Sequence, residues 1–372
     1  MNINRERMVS LFKEMVAISS VSGNEGPIQN FLIDQFQTLG LDVYQDNSQI
    51  ATQLGANNIV AKWRGNVEGT PIFFSCHVDT VSPGEGIEVV EREEILYSKE
   101  ETILAADNKA GIAIMLEMMH LIKENNIATP NIEFVLSTGE EIGLIGAEEL
   151  DMSLIDAEIG YVLDNAGPVG SAIVASPSLY MFEVEIIGKA AHAGLEPENG
   201  ISTLEVATKA LNQLTFGRID HETTSNIGVI SGGVSSNIVM EKLLLKGEVR
   251  SISQEKADKL VKNIQDVFET TSQSLGAICH INVEKKATGF RLEDNAEVLQ
   301  LARLGMKDIG ITLQYEVSGG GSDANVFNAK GKSVTNLSIG YEKIHTVDEY
   351  IPIPEMEKSV AFGLAVLKQA KK

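Results

Sequence analysis

The chain switches twice between two kinds of hydrophobic periodicity. Met8, Leu11, Met15 and Ile18 recur at helical spacing, which predicts an opening helix, and residues 27–40 predict a second that closes at Gly40. Short apolar runs at 58–64, 71–76 and 95–98 read as strands, and 109–122 as a helix with a small, apolar first turn. Residues 132–136 and 160–163 predict further buried strands. Strands alternating with helices imply an α/β sheet that is at least partly parallel.

Near residue 176 the pattern changes. Tyr180, Phe182, Val184 and Ile186 alternate with Met181, Glu183 and Glu185, the period expected of a sheet with one wet face. A helix over 201–214, strands over 227–230 and 243–252, a charged amphipathic helix over 254–275 and a strand over 278–284 follow. That order is the split βαβ, or ferredoxin-like, unit. After about residue 290 the first style returns, with a helix at 295–309, a glycine loop, a strand at 335–339 and a last helix at 354–370. The expected organisation is an α/β domain formed by residues 1–176 and 290–372, interrupted by a smaller α+β domain at 177–289. No internal repeat or low-complexity linker interrupts it.

Composition narrows the class. Across 372 residues, 43% hydrophobic and 22% charged, the balance is that of a globular protein with a sizeable core. The formal net charge of −22 repels phosphate backbones and anionic membranes, so neither nucleic acid nor a membrane is an expected partner. Cys76 and Cys279 do not make a disulfide framework. With no apolar signal core in the first ten residues, they point to a cytoplasmic location.

The chemistry lies at strand ends. His77 and Asp79 follow the strand at 71–76, Asp107 sits where a helix begins, Glu140 and Glu141 follow the strand at 132–136, Asp164 ends the strand at 160–163, and His345 lies beyond the strand at 335–339. In open α/β sheets the carboxyl edge of the strands is where sites form. Taken singly, each residue has an ordinary role: His77 or His345 as a solvated loop residue, Asp107 as a helix cap, Glu140 and Glu141 as first-turn acids, Asp164 as an Asx turn. Together, two imidazoles and three carboxylates can hold two divalent ions, each ion taking one His and one carboxylate and the third carboxylate lying between them. A mixed nitrogen and oxygen set suits zinc, cobalt or manganese, and a carboxylate left over serves as a general base.

The segments Ser75-Cys76-His77-Val78-Asp79-Thr80, Ala106-Asp107-Asn108-Lys109-Ala110-Gly111, Gly139-Glu140-Glu141-Ile142-Gly143 and Ala190-Ala191-His192-Ala193-Gly194 resemble the cocatalytic dizinc exopeptidases. That family includes carboxypeptidase G, aminoacylase, succinyl-diaminopimelate desuccinylase and peptidase T, and the peptidase T-like branch is the nearest in pattern. The resemblance implies a zinc-exopeptidase-like catalytic domain with an inserted ferredoxin-like lid that also dimerises. It implies His77 and Asp164 on one metal, Glu141 and His345 on the other, Asp107 as the bridge with a cis peptide bond after it, and Glu140 as the base. Asp79 is expected to orient His77 from behind. His192 is expected to stabilise the oxyanion, Asn237 and Arg250 to bind substrate, and Gly319, Gly320 and Gly321 to admit the substrate backbone. The implied substrate is a short peptide, with an N-acyl-amino-acid amidohydrolase as the alternative. An aspartate at position 164 leans toward the peptidases, whereas Asn108 stands where many peptidase T sequences carry a second aspartate.

Overall fold

The computed structural model describes residues 2–372; Met1, the first residue of the expected catalytic domain, lies outside them. The chain divides into two compact units. One is built from the chain up to Val174 with Leu292–Ser318 and Ser322–Lys372, the other from Ala175–Arg291 with Gly319–Gly321.

The first unit is a mixed sheet between helices. Its strands run in the order Asp42–Gln45, Ile59–Trp63, Ile132–Ser137, Ile72–His77, Ile159–Asn165, Ser333–Ser338 and Ser171–Ser176. The four central strands, from Ile132–Ser137 to Ser333–Ser338, are mutually parallel. Ile59–Trp63 and Asp42–Gln45 add antiparallel pairs at one side. Ile72–His77 and Ile132–Ser137 are buried along their whole length. Strands covered on both faces carry continuous apolar runs, which is why neither shows alternation. Gly160 is required by this packing: a Cβ there would meet the Phe73 ring at 2.1 Å.

The helix Ala106–Glu124 is buried at nearly every position to Ile122, so it carries no polar stripe. Arg5–Ala17 and Ile353–Gln369 pack against it, and Glu297–Asp308 packs on Ile353–Gln369. At its start, Asp107 (ψ 100°) and Asn108 (ψ 27°) are non-helical, so the regular helix begins at Lys109.

The second unit is a five-stranded antiparallel sheet in the order Gly217–Arg218, Thr223–Gly232, Lys242–Ser251, Ser178–Ile187 and Ile278–Ala287. The helices Thr203–Leu211 and Gln254–Ser274 cover one face, where Phe182, Val184, Ile186, Val206, Ile264 and Phe268 form a core of their own. The alternation along 180–186 is this one-sided burial read out in sequence.

Several short elements lie outside the sequence expectations: the strands Asp42–Gln45, Val89–Arg92, Gln314–Val317 and Tyr350–Pro352, and the helix Asp323–Ala329. That helix stands where only a glycine loop was expected, started by Ser322, whose N–H donates to Asn325 Oδ1 at 3.1 Å. No helix among the described residues is long and apolar enough to cross a membrane.

Candidate metal centre

The carboxyl ends of the four parallel strands deliver the site. Ile72–His77 ends on His77, and Ile132–Ser137 runs on through a left-handed Gly139 (φ +60°) into Glu140 and Glu141. Ile159–Asn165 presents Asp164 near its end, and Ser333–Ser338 leads to the turn carrying His345. Asp107 comes from the loop in front of the buried helix, and its peptide bond to Asn108 is cis.

These side chains converge. His77 Nε2 lies 2.9 Å from Asp107 Oδ1 and 3.5 Å from Asp164 Oδ1. His345 Nε2 lies 2.9 Å from Glu141 Oε2 and 3.4 Å from Asp107 Oδ2. The two oxygens of Asp107 therefore face two different imidazoles. The ligand atoms of His77, Asp107 and Glu141 lie within 4.8 Å of one another. The His77 side chain is only 2% exposed, whereas that of His345 is 47% exposed, so one half of the cluster is deep and the other faces solvent.

The supporting contacts set orientation. His77 Nδ1 lies 2.9 Å from the backbone carbonyl of Asp79 and 3.5 Å from its carboxylate, so the carbonyl is the closer partner and Nε2 is turned into the cluster. The Asp79 carboxylate accepts instead from Ser22 Oγ at 2.7 Å, from the Glu140 N–H at 3.0 Å and from the Glu141 N–H at 3.2 Å. Asp164 accepts from Tyr341 Oη at 2.9 Å. Its backbone is clamped by Asn336, whose side chain accepts from its N–H at 3.0 Å and donates to its carbonyl at 2.8 Å. Sequence reasoning missed Ser22, Asn336 and Tyr341. The one signal was Asn336, a polar amide inside an otherwise buried parallel strand.

The electrostatics call for cations. Burial pushes Glu140 well above the ordinary carboxylate range, and burial with the charge of Asp107 carries Asp164 to about 7. Against the same burial, the facing His345 and His77 hold Asp107 well below the usual range. Hydrogen bonding to Asp107 and Glu141 raises His345 to about 10. Among the described residues no lysine or arginine forms an ion pair with Asp107, Glu140, Glu141 or Asp164. Nitrogen and oxygen ligands of a tetrahedral ion bound at about 2.1 Å are about 3.4 Å apart. The His77–Asp164 and His345–Asp107 separations fit that spacing, and the donor set fits divalent transition metals.

His192, Asn237, Arg250 and Gly319–Gly321 belong to the second unit and are not part of this cluster. His192 Nδ1 accepts the Gly194 N–H at 3.2 Å, and Ala193 N–H donates to the Asn237 carbonyl at 2.9 Å. The Asn237 side chain accepts from Ser235 Oγ at 2.6 Å. Arg250 pairs with Glu248 on its own strand, at 2.9 and 3.1 Å, and donates to the Gly319 carbonyl at 2.8 Å.

Comparison with known proteins bears on the whole chain. Residues 174–274 match the family described as the peptidase dimerisation domain, and residues 78–170 match M42 glutamyl aminopeptidase. An uncharacterized Bacillus subtilis protein, YqjE, is 40% identical over all of both chains. The crystal structure of aminopeptidase PepT from Bacillus cereus superposes with a TM-score of 0.97 at 39% identity, covering 99% of each chain. A tripeptidase from Staphylococcus aureus gives 0.95 at 39% identity, again over 99% of each chain. Fold and cluster together define a metallopeptidase. The chain belongs to the peptidase T-like family of dinuclear peptidases.

Proposed function

We propose that this protein is a metal-dependent exopeptidase that releases residues from short peptides, di- or tripeptides, at a two-ion site, with zinc as the resident metal. His77 and Asp164 hold one ion, Glu141 and His345 the other, and Asp107 lies between. The observation that carries this reading is the placement of Asp107, whose two carboxylate oxygens are each turned to a different imidazole. When bound, the ions supply Lewis-acid polarisation of the scissile carbonyl and lower the pKa of a water.

The chain's own residues do the rest. Glu140 ligates neither ion; it takes the proton of the attacking water and returns it to the leaving amine. Its backbone is fixed by the Asp79 carboxylate, which holds Glu140 and Glu141 side by side in two roles. His192, whose Nδ1 is an acceptor, carries its proton on Nε2 and can donate to the developing oxyanion. Arg250 pairs with a substrate carboxylate, exchanging Glu248 for it, while Asn237 and the Gly319–Gly321 backbone contact the peptide chain. The inserted unit is also the surface through which two copies form a homodimer. The two unpaired thiols, Cys76 and Cys279, support a cytoplasmic setting.

The test is direct. Chelator-treated protein should lose peptidase activity and recover it with zinc, cobalt or manganese, and should cleave tripeptides faster than acetyl- or succinyl-amino acids. Preference for the acylated amino acids would establish the amidohydrolase instead. Full activity after complete metal removal would end both readings.

A further inference from the structure

Glu349 is buried, 1% exposed, and no lysine or arginine pairs with it among the described residues. Its carboxylate is spent on backbone: Oε2 accepts from the N–H of Leu104 at 2.7 Å and of Ala105 at 2.9 Å, and Oε1 accepts from the N–H of Asp107 at 3.0 Å. All three donors lie in the loop that delivers Asp107, where Ala105 is left-handed at φ +60°, a conformation a side-chain-bearing residue keeps only when its surroundings impose it. These three hydrogen bonds join segments more than two hundred residues apart.

The other end of the tether is His345. Glu342 and Tyr350 exchange backbone hydrogen bonds at 2.9 and 3.2 Å, closing a loop with His345 (φ +62°) inside it and Glu349 at its base. Glu349 thus fastens the loop of one imidazole to the loop of the carboxylate it faces. His77 and Asp164 need no such fastening, because both sit on buried parallel strands. Resting on the two-ion reading, we propose that Glu349 is a positioning residue that holds Asp107 and His345 in register and thereby sets the affinity of the more exposed ion, the one on Glu141 and His345.

Cobalt titration of chelator-treated protein, followed by visible absorption, separates the two sites. In wild type two ions should bind. In Glu349→Gln, which keeps the shape but turns an amide N–H toward backbone N–H groups, the second ion should weaken about tenfold or more while the first stays near its wild-type affinity. Peptidase activity should return at high cobalt. Glu349→Asp, which keeps the charge one methylene shorter, should show the same order of loss to a smaller extent, and it serves where the glutamine variant does not fold. In His345→Ala, which already lacks the second site, adding Glu349→Gln should leave the first ion's affinity unchanged. A role confined to capping the helix would instead lower thermal stability while both ions weakened together or neither did, and either pattern overturns the proposal. Wild type taking up a single ion would end the two-ion reading itself, whatever the variants show.

Discussion

The carboxylate of Asp79 accepts the backbone N–H of Glu140 at 3.0 Å, so the residue behind His77 also anchors Glu140, the proposed base. A single asparagine cannot serve all of these donors: its amide would turn an N–H toward the backbone N–H of either Glu140 or Glu141. Asp79→Asn should therefore lower kcat by about 10–100-fold, the usual scale for groups that orient a metal site. Steady-state kinetics with metal analysis will check it; unchanged kcat at full metal content would remove Asp79 from this role.

Glu140→Gln separates base from ligand. On the proposed roles the variant should keep both ions and lose about 10²–10⁴-fold in kcat. Its thermal stability should hold or rise, because a carboxylate that burial pushes upward in pKa has been replaced by a neutral amide. Metal content falling in step with kcat would show that Glu140 is a ligand instead.

Stability of the chelated protein should depend on pH with a defined sign. Burial and the charge of Asp107 hold Asp164 at about 7, and burial holds Asp323 at about 6, both above the value near 4 of an unfolded carboxyl. Between those limits the native state binds more protons, so their stabilisation is complete below pH 4 and is lost as pH rises through 6 and 7. His345, raised to about 10, adds loss between about 6.5 and 10, and Asp107, lowered, adds none above about 4. Tm of the metal-free protein should fall from pH 5 to 9, and added zinc should flatten the decline. Parallel slopes with and without metal would contradict this.

Far from the site, Arg7 pairs bidentately with Glu117, at 2.7 and 3.0 Å, and Glu117 is fully buried. Removing the arginine strands a buried charge, so Arg7→Ala should cost about 3–5 kcal/mol in denaturant unfolding. Arg7→Ala combined with Glu117→Leu should recover much of it. A double variant no more stable than the single would mean the loss is one of packing.

Sequence reasoning reached long elements best. The helix predicted over 254–275 is Gln254–Ser274, and the strand predicted over 243–252 is Lys242–Ser251, because a sustained amphipathic period marks both. It lost short edge strands such as Asp42–Gln45, mostly exposed and without an apolar pattern. At the site, His77, Asp107, Glu141, Asp164 and His345 were visible because strand ends are punctuated by glycine and polar residues. The groups that hold them were not. Tyr341 looks like core, Ser22 looks like a turn, and Glu349 looks like a surface acid until the loop of Asp107 is folded against it. Contacts between distant segments leave no periodic trace.

The order in which the centre is assembled during synthesis follows from where its members stand in the chain. His77 and Asp107 leave the ribosome early, but His345 emerges only when the last helix, Ile353–Gln369, is about to be made. On the proposed ligand assignment, the members of the deep half, His77, Asp107 and Asp164, are therefore all made well before His345 of the outer half.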